Sequence, residues 1–413
     1  MSFTHVESQK CRADFPALSR TLNGQPLVYL DGPAGTQVPS RVIDTISHAY
    51  SHHNANTHGM FPTSNDVDAA MLRTRQVIAT FLGAESADTI SLGANMTSLN
   101  FALSHALEPL LKPGDEVLVT QLDHEANRGP WLRLSASGVI VREIHLLPSG
   151  QLDEADLRAK IGPKTRLVAM GYSANSLGTV NNVELARELT TAVGAWLLVD
   201  AVHYAPHFVL DVQKLAPDFL LCSGYKFYGP HVGILYTRPG LLETLPTDRL
   251  VVQEPVAPYR IETGTLNHPA IEGVAAAIEY IASWGHGDTL RARIVDAVTG
   301  ISAYEHSMGA YYYEEVKKIP GVTVWGPDFS TRRRAPTVSI TMQGVSPLEM
   351  ATALGKLGVC VWDGEFYAQR PINILGLTES GGVLRTGMSM YTQKSDVDRL
   401  LEGLRSISAS RAS

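Results

Sequence analysis

The feature that most constrains the fold is a series of short apolar, strand-like runs that alternate with amphipathic, helix-like stretches. The runs cover residues 89–92, 116–120, 139–144, 167–171, 196–200, 219–222 and 233–236. Strands that alternate with helices are typical of a mostly parallel sheet with helices on both faces. We therefore predict an α/β fold around a seven-stranded sheet, with ligands bound at the carboxyl ends of its strands.

A change of pattern after residue 286 indicates a second domain. A long helical stretch covers residues 289–318, and short strands punctuated by Gly and Pro follow it. We predict a large domain over residues 29–286 and a smaller α+β domain built from residues 1–28 and 287–413. A chain of 413 residues, 44% of them hydrophobic and 18% charged, is long enough for both.

The sequence predicts where three helices begin and end. The helical pattern of residues 65–81 follows Ser64, whose hydroxyl we expect to cap the helix. A second helical pattern covers residues 96–111. The last helix is predicted over residues 395–407, and the short polar tail 408–413 is expected to fray.

Charge and cysteine content exclude several kinds of partner. The net charge is −7 and the isoelectric point is about 6.1, with one basic cluster at residues 332–334, so we expect no nucleic acid partner. The polar N-terminus and the lack of a long apolar run predict a cytoplasmic protein that is not held in a membrane. Cys11, Cys222 and Cys360 show no paired spacing, so we expect neither disulfides nor a metal site.

One lysine follows a strand-like run and is the main candidate for chemistry. Lys226 comes after the apolar residues 219–222 and just before the turn Gly229-Pro230. Burial disfavours the charged form of a lysine, so a lysine at the end of a buried strand loses its proton easily. An uncharged amine can form a Schiff base with an aldehyde such as pyridoxal phosphate. Taken alone, a lysine before a Gly-Pro turn is also compatible with a solvated loop.

A pyridoxal phosphate site makes further demands, and two segments meet them by position. The ring nitrogen requires a carboxylate in a low-dielectric setting, and Asp200 ends an apolar run. The phosphate requires backbone N–H groups at a turn that opens a helix, and Ala94 and Asn95 lie in such a turn. Taken alone, Asp200 is also compatible with a helix N-cap or a turn aspartate, and the turn at Ala94 and Asn95 is a common one.

Three more polar groups follow predicted strands. His124 can cover the face of the cofactor ring or merely cap a helix, and a zinc-protease pattern is rejected because its second His position is Arg128. Asn175 and His203 can reach the ring hydroxyl or satisfy turn backbone. Arg385 is a candidate for a bidentate contact with a substrate carboxylate.

Together these segments resemble the aminotransferase class V superfamily, and most closely its cysteine desulfurase and selenocysteine lyase branch. The likeness runs from residues 12–16 and 29–31 to residues 397–400. It implies a fold-type I, pyridoxal phosphate-dependent enzyme that forms a homodimer with shared active sites. The resemblance implies these site residues: Lys226 for the Schiff base, Asp200 at the ring nitrogen, His124 on the ring, Asn175 at the ring hydroxyl, Ala94, Asn95 and Ser223 at the phosphate with Thr265 from a second subunit, and Arg385 at the substrate carboxylate.

The chain departs from that branch at several positions. Tyr367 stands where the desulfurases carry a catalytic cysteine, and a phenol cannot form a persulfide. Cys360 lies nearby, but its apolar setting predicts a buried strand thiol. His203 and Tyr225, both expected in the cofactor site, replace a glutamine and a histidine.

We therefore expect an enzyme that forms an external aldimine with an amino acid and uses the displaced Lys226 to move protons. Without the cysteine, the outcome expected first is β-elimination by a carbon–sulfur or related lyase. Epimerisation and amino transfer are the alternatives, with Tyr367 or His203 as a second acid or base. A non-catalytic dimeric scaffold is the remaining alternative, although a scaffold has no need for the five groups that a cofactor requires.

Overall fold

The computed structural model describes residues 3–330 and 333–412. Its helices are α1 His5–Cys11, α2 Ser40–His52, α3 Pro62–Leu82, α4 Met96–Leu107, α5 Glu125–Leu132, α6 Glu154–Lys160, α7 Val183–Val193, α8 Val212–Leu215, α9 His268–Ala282, α10 Leu290–Val316, α11 Pro347–Lys356, α12 Gln369–Ile374 and α13 Lys394–Ala412. Its strands are β1 Thr21–Leu22, β2 Gln25–Pro26, β3 Val28–Tyr29, β4 Ile90–Gly93, β5 Glu116–Thr120, β6 Ile140–Ile144, β7 Thr165–Gly171, β8 Trp196–Asp200, β9 Phe219–Ser223, β10 Gly233–Thr237, β11 Val322–Trp325, β12 Thr337–Met342, β13 Val359–Cys360, β14 Trp362–Gly364 and β15 Val383–Gly387.

The seven predicted runs form one sheet, in the order β4-β10-β9-β8-β7-β5-β6. Strands β5 to β9 pair in parallel, and β10 is antiparallel to both of its neighbours. This confirms the predicted mostly parallel, seven-stranded sheet. Because the parallel strands share a direction, their carboxyl ends meet at one edge, where the predicted site residues follow them.

Each face of this sheet is buried in its own core. In β5, Val117 and Val119 belong to the cluster that contains Trp131 of α5, whereas Leu118 belongs to the opposite cluster with Ile78 of α3. Successive side chains of a strand point to opposite faces, so a strand buried on both faces is apolar throughout. That is why these runs read as continuous apolar segments in the sequence.

A second, antiparallel sheet has the order β11-β12-β15-β14. The N-terminal segment reaches this region, because β3 pairs in parallel with β13, and Arg12 forms an ion pair with Asp396 at 2.7 Å. Strand β15 carries Arg385. The sheet thereby brings the predicted carboxylate-binding arginine towards the edge of the large sheet.

Three local predictions are wrong. Ser64 does not cap α3, which begins at Pro62; its hydroxyl instead donates to the carbonyl of Asn56 (2.6 Å). Helix α4 ends at Leu107, because Pro109 lacks the N–H that would continue it. The described part of the tail does not fray, because α13 continues to Ala412. Ser413, and Arg332 of the basic cluster, lie outside the described residues.

Across the described ranges, no helix has both the length and the apolar character needed to cross a membrane.

Candidate active site

A cleft opens at the carboxyl ends of the central strands. It brings together most of the predicted site residues, and those that line it come from five separate segments of the chain. Those that line it are Asn95, His124, Asn175, Asp200, His203, Ser223, Tyr225 and Lys226. The cleft therefore brings together candidates for contacts with the ring nitrogen, the ring face, the ring hydroxyl and the phosphate of the cofactor.

Lys226 lies in the short turn that follows β9 and is 7% exposed. Its Nζ donates to the backbone carbonyls of Pro33 and Ala34, the latter at 3.0 Å. Burial, together with the nearby positive charge of Arg385, lowers the pKa of the Lys226 amine to about 7. A large share of this amine is therefore uncharged, and able to act as a nucleophile, near neutral pH.

Asp200 ends β8 and is 8% exposed. Its Oδ1 accepts a hydrogen bond from the backbone N–H of Val202 at 2.9 Å. Burial raises the pKa of the Asp200 carboxyl to about 6, and this hydrogen bond and Lys226 both oppose the rise. Asp200 thus both caps a turn, as one alternative predicted, and presents a carboxylate to the cleft.

The sequence analysis missed a second buried carboxyl group, Asp123. It accepts hydrogen bonds from the backbone N–H groups of Gly171 (2.7 Å) and Thr120 (3.3 Å) and from the side chain of Asn127 (3.3 Å). Burial raises the pKa of Asp123 to about 7, and the charge of Asp200 contributes. A Cβ on Gly171 would lie 2.8 Å from Asp123 Oδ1, so the glycine permits this close approach. Its position next to His124 was the available signal.

His124 lines the cleft as a neutral ring. Its Nδ1 accepts a hydrogen bond from the backbone N–H of Ala126 at 3.0 Å, so the residue also caps α5. Burial and the charge of Lys226 lower the pKa of the imidazole to about 4. Its ring centroid lies 5.7 Å from that of Tyr367.

Several buried polar atoms at the cleft have no hydrogen-bond partner among the described residues. They are His203 Nδ1, Asn175 Oδ1 and Ser173 Oγ. The other ring nitrogen of His203, Nε2, lies 2.9 Å from the hydroxyl of Thr337. Because buried polar groups are usually paired, unpaired atoms that face one cavity indicate a polar ligand there. In the part of the chain that the structure describes, no group of three or more His, Cys, Asp or Glu side chains could hold a metal ion.

The predicted phosphate-binding residues are only partly brought together. Asn95 caps α4 by accepting from the N–H of Ser98 (2.9 Å), and Ser223 lies buried at the end of β9. Ala94 is exposed in the same turn but is not among the residues that line the cleft. Thr265 is exposed and lines a different cavity of this chain, as expected if it serves another subunit.

Arg385 lies at a neighbouring cavity that shares Lys226 and Asn175 with the cleft. It is 2% exposed, lies 3.5 Å from Asp31 and donates to the carbonyl of Asn175 at 3.3 Å. Its guanidinium stacks 4.0 Å from the ring centroid of Phe366, and burial lowers its pKa to about 10. Most of its donors remain available for an anion.

The turn at Phe366 and Tyr367 closes the outer side of this cavity. Both residues have positive φ angles, 58° and 56°, which cost non-glycine residues about 1–2 kcal/mol each. The side chain of Asn175 donates to the Phe366 carbonyl (3.1 Å), and the N–H of Glu125 donates to the Tyr367 carbonyl (2.7 Å). The Tyr367 side chain remains exposed beside His124.

The geometry agrees with comparisons against known proteins. The aminotransferase class-V family profile matches residues 28–400. A probable cysteine desulfurase of Mycolicibacterium paratuberculosis is 33% identical over 96% of this chain, which spans 57% of that protein. A cysteine desulfurase of Pectobacterium atrosepticum is 31% identical over 97% of both chains.

Solved structures give the same result. The apo structure of a cysteine desulfurase from Thermococcus onnurineus NA1 superimposes with a TM-score of 0.87 at 27% identity, covering 97% of this chain and 98% of that chain. The cysteine desulfurase CsdA from Escherichia coli gives a TM-score of 0.84 at 28% identity, covering 98% of both chains.

Proposed function

The chain belongs to the aminotransferase class V family, and we propose that it is a carbon–sulfur lyase that cleaves its amino-acid substrate by β-elimination. It is a pyridoxal phosphate-dependent enzyme, related to proteins named cysteine desulfurase. The observation that carries the proposal is the pairing of a buried Lys226 amine with a buried Asp200 carboxylate in one cleft, beside a loop that lacks a cysteine.

The residues at the cleft fit the cofactor. When bound, pyridoxal phosphate supplies an aldehyde that joins the substrate amine and a ring that accepts electrons from the α-carbon. Asp200 is suited to keep the ring nitrogen protonated, because burial strengthens the attraction between opposite charges. The flat neutral ring of His124 is suited to cover the cofactor, and the unpaired atoms of Asn175 and His203 to bind its hydroxyl.

The proposal assigns roles to the remaining residues. Lys226 holds the cofactor and, once displaced by substrate, moves the α-proton, because its pKa of about 7 allows both protonation states. Arg385 binds the substrate carboxylate. Ser223 and Tyr225 lie at the cleft beside the predicted phosphate turn of Ala94 and Asn95.

The dimer and the location are also part of the proposal. Thr265 completes the phosphate site of a partner subunit, which fits its exposure and its distance from the cleft of its own chain. A homodimer is typical of the family. We place the enzyme in the cytoplasm on the sequence alone.

The loop that carries Tyr367 determines the form in which sulfur leaves the substrate. Tyr367 occupies the outer turn. Cys360 lies in a strand, β13, as predicted, but it is only partly buried; burial and then the charge of Asp31 raise the pKa of its thiol. A thiol with a raised pKa is a poor nucleophile. With no thiolate poised to attack the substrate, sulfur departs as a free thiol or sulfide when the Cβ–S bond breaks.

The test is product analysis with the loaded enzyme and S-substituted cysteines. Pyruvate, ammonia and free thiol in equal amounts support the lyase. Solvent deuterium at the α-carbon without consumption of substrate would instead establish an epimerase, and a requirement for a keto acid would establish an aminotransferase. Lys226→Ala is the control, since it should remove every one of these activities.

A further inference from the structure

The outer end of the cavity beside Arg385 is both aromatic and acidic. We call it the outer mouth and define it as Trp362, Asp363, Glu365 and Tyr367, all of which line that cavity. Trp362 is 53% exposed and Tyr367 is 75% exposed. Large aromatic side chains left in contact with solvent around a cavity are typical of a binding surface.

The two carboxylates of the outer mouth are not neutralised by the protein. Within the described residues, the side chains of Asp363 and Glu365 form neither a hydrogen bond nor an ion pair. The cationic side chains that line the same cavity, Lys226 and Arg385, are buried, whereas Glu365 is exposed. The cavity therefore carries positive charge at its buried end and negative charge at its open end.

The buried end offers an unpaired donor to a ligand. Arg385 Nε is buried and has no hydrogen-bond partner among residues 3–330 and 333–412. Arg385 as a whole is 2% exposed. A substrate carboxylate at this end would pair with the guanidinium of Arg385. This contact sets the orientation of the bound amino acid. Its side chain must then extend towards the outer mouth.

We propose that the substrate is an S-substituted cysteine whose side chain ends in a cationic group, received by the rings and carboxylates of the outer mouth. Aromatic faces and carboxylates both attract cations, and an aromatic surface with acidic neighbours repels an anionic side chain. The inference rests on the proposed β-elimination. In that reaction the α-proton leaves, the Cβ–S bond breaks with its electron pair on sulfur, and water converts the remaining fragment into pyruvate and ammonia.

Three thioethers of similar length isolate the charge of the side chain. They are S-(2-aminoethyl)-cysteine, which is cationic, S-propyl-cysteine, which is neutral, and S-(2-carboxyethyl)-cysteine, which is anionic. We expect kcat/KM for the cationic compound to exceed that for the neutral one by about tenfold, and the anionic one to be poorest. The dissociation constants, from spectral titration of the bound cofactor, should follow the same order, and added salt should narrow the difference.

Matched variants identify the groups responsible. Asp363→Asn with Glu365→Gln should reduce the cationic preference, which is the ratio of kcat/KM for S-(2-aminoethyl)-cysteine to that for S-propyl-cysteine, to about twofold or less. Glu402→Gln, which removes an exposed carboxylate on α13, is the control and should keep the preference.

The outcomes separate the two proposals. Equal turnover of all three thioethers would overturn the inference and leave the lyase intact. Tighter binding of the cationic compound without pyruvate would support the cation preference of the outer mouth but overturn the β-elimination on which the substrate assignment rests. A preference that survives in the double variant would show that the outer mouth does not create it.

Discussion

Burial sets the protonation states of the three residues at the centre of the cleft. The pKa of Lys226 falls to about 7 and that of His124 to about 4, whereas that of Asp200 rises to about 6. Near neutral pH the lysine is therefore partly uncharged, the imidazole is neutral and the aspartate is mostly ionised. Each state suits the role proposed for that residue.

The first prediction concerns the rate at which the cofactor-stripped protein takes up pyridoxal phosphate. Only the uncharged amine attacks an aldehyde, so the rate should rise with pH through about 7 and then level off. Stopped-flow absorbance at a series of pH values measures this. A rate that keeps rising towards about pH 10, as for a solvated lysine, would contradict the burial of Lys226.

The sequence places a residue in the cleft where that residue ends or closely follows a buried strand. Asp200 ends β8, and Lys226 and His124 follow β9 and β5, so the carboxyl ends of the strands bring the three together. Asp123 was missed although it precedes His124, because its hydrogen bond to Gly171 depends on how β5 pairs with β7. Such pairing is not encoded in local sequence.

At the scale of elements, strands were easier to predict than helix ends. A strand buried on both faces is apolar throughout, and β8 and β5 have the predicted bounds. The start of α3 was misplaced because the hydroxyl of Ser64 bonds to Asn56, in the preceding loop. Tertiary contacts of this kind compete with local capping.

Arg334 connects elements that are distant in sequence. It is 1% exposed, donates to the carbonyls of Leu177 (2.9 Å), Pro327 and Thr337, and stacks 4.3 Å from the ring centroid of Phe329. Arg334→Leu leaves those carbonyls without their donor and should lower the free energy of unfolding by about 3 kcal/mol.

Its neighbour is the matched control for that substitution. Arg333 is exposed and lies over the ring of Phe208, so Arg333→Leu should cost about 1 kcal/mol or less. Denaturant titrations of both variants measure the difference. Similar losses in the two variants would contradict the role assigned to Arg334.

The turn that carries Tyr367 leads to a prediction about sulfur chemistry. During turnover of cysteine, mass spectrometry should find no persulfide on the protein, because burial raises the pKa of the thiols of Cys11, Cys222 and Cys360. Tyr367→Cys places a thiol in the exposed turn beside His124 and should yield a detectable persulfide. A persulfide trapped on Cys360 in the wild type would overturn this account of the loop.

At the scale of the whole molecule, several large apolar side chains are exposed on the surface near Thr265. Leu72, Leu250 and Val252 line a cavity together with Thr265, and Val251 beside them is 98% exposed. Exposed apolar patches of this kind mark protein interfaces. They support a homodimer in which Thr265 serves the partner's site.

The corresponding prediction joins assembly to cofactor affinity. Val251→Asp with Val252→Asp introduces charge into this surface and should shift the protein towards monomers, with cofactor affinity reduced by about tenfold or more. Light scattering and cofactor titration measure the two effects. Leu348→Asp, at an exposed leucine on α11, should change neither. Monomers with unchanged cofactor affinity would show that Thr265 has no role in a partner's site.

The central claim is that the amine of Lys226 holds the cofactor. Borohydride reduction of the loaded enzyme, followed by peptide mass spectrometry, tests it most directly. We predict that the reduced cofactor is attached to Lys226 and that Lys226→Ala carries no label. Attachment to a different lysine, or no attachment in the wild type, would contradict the account.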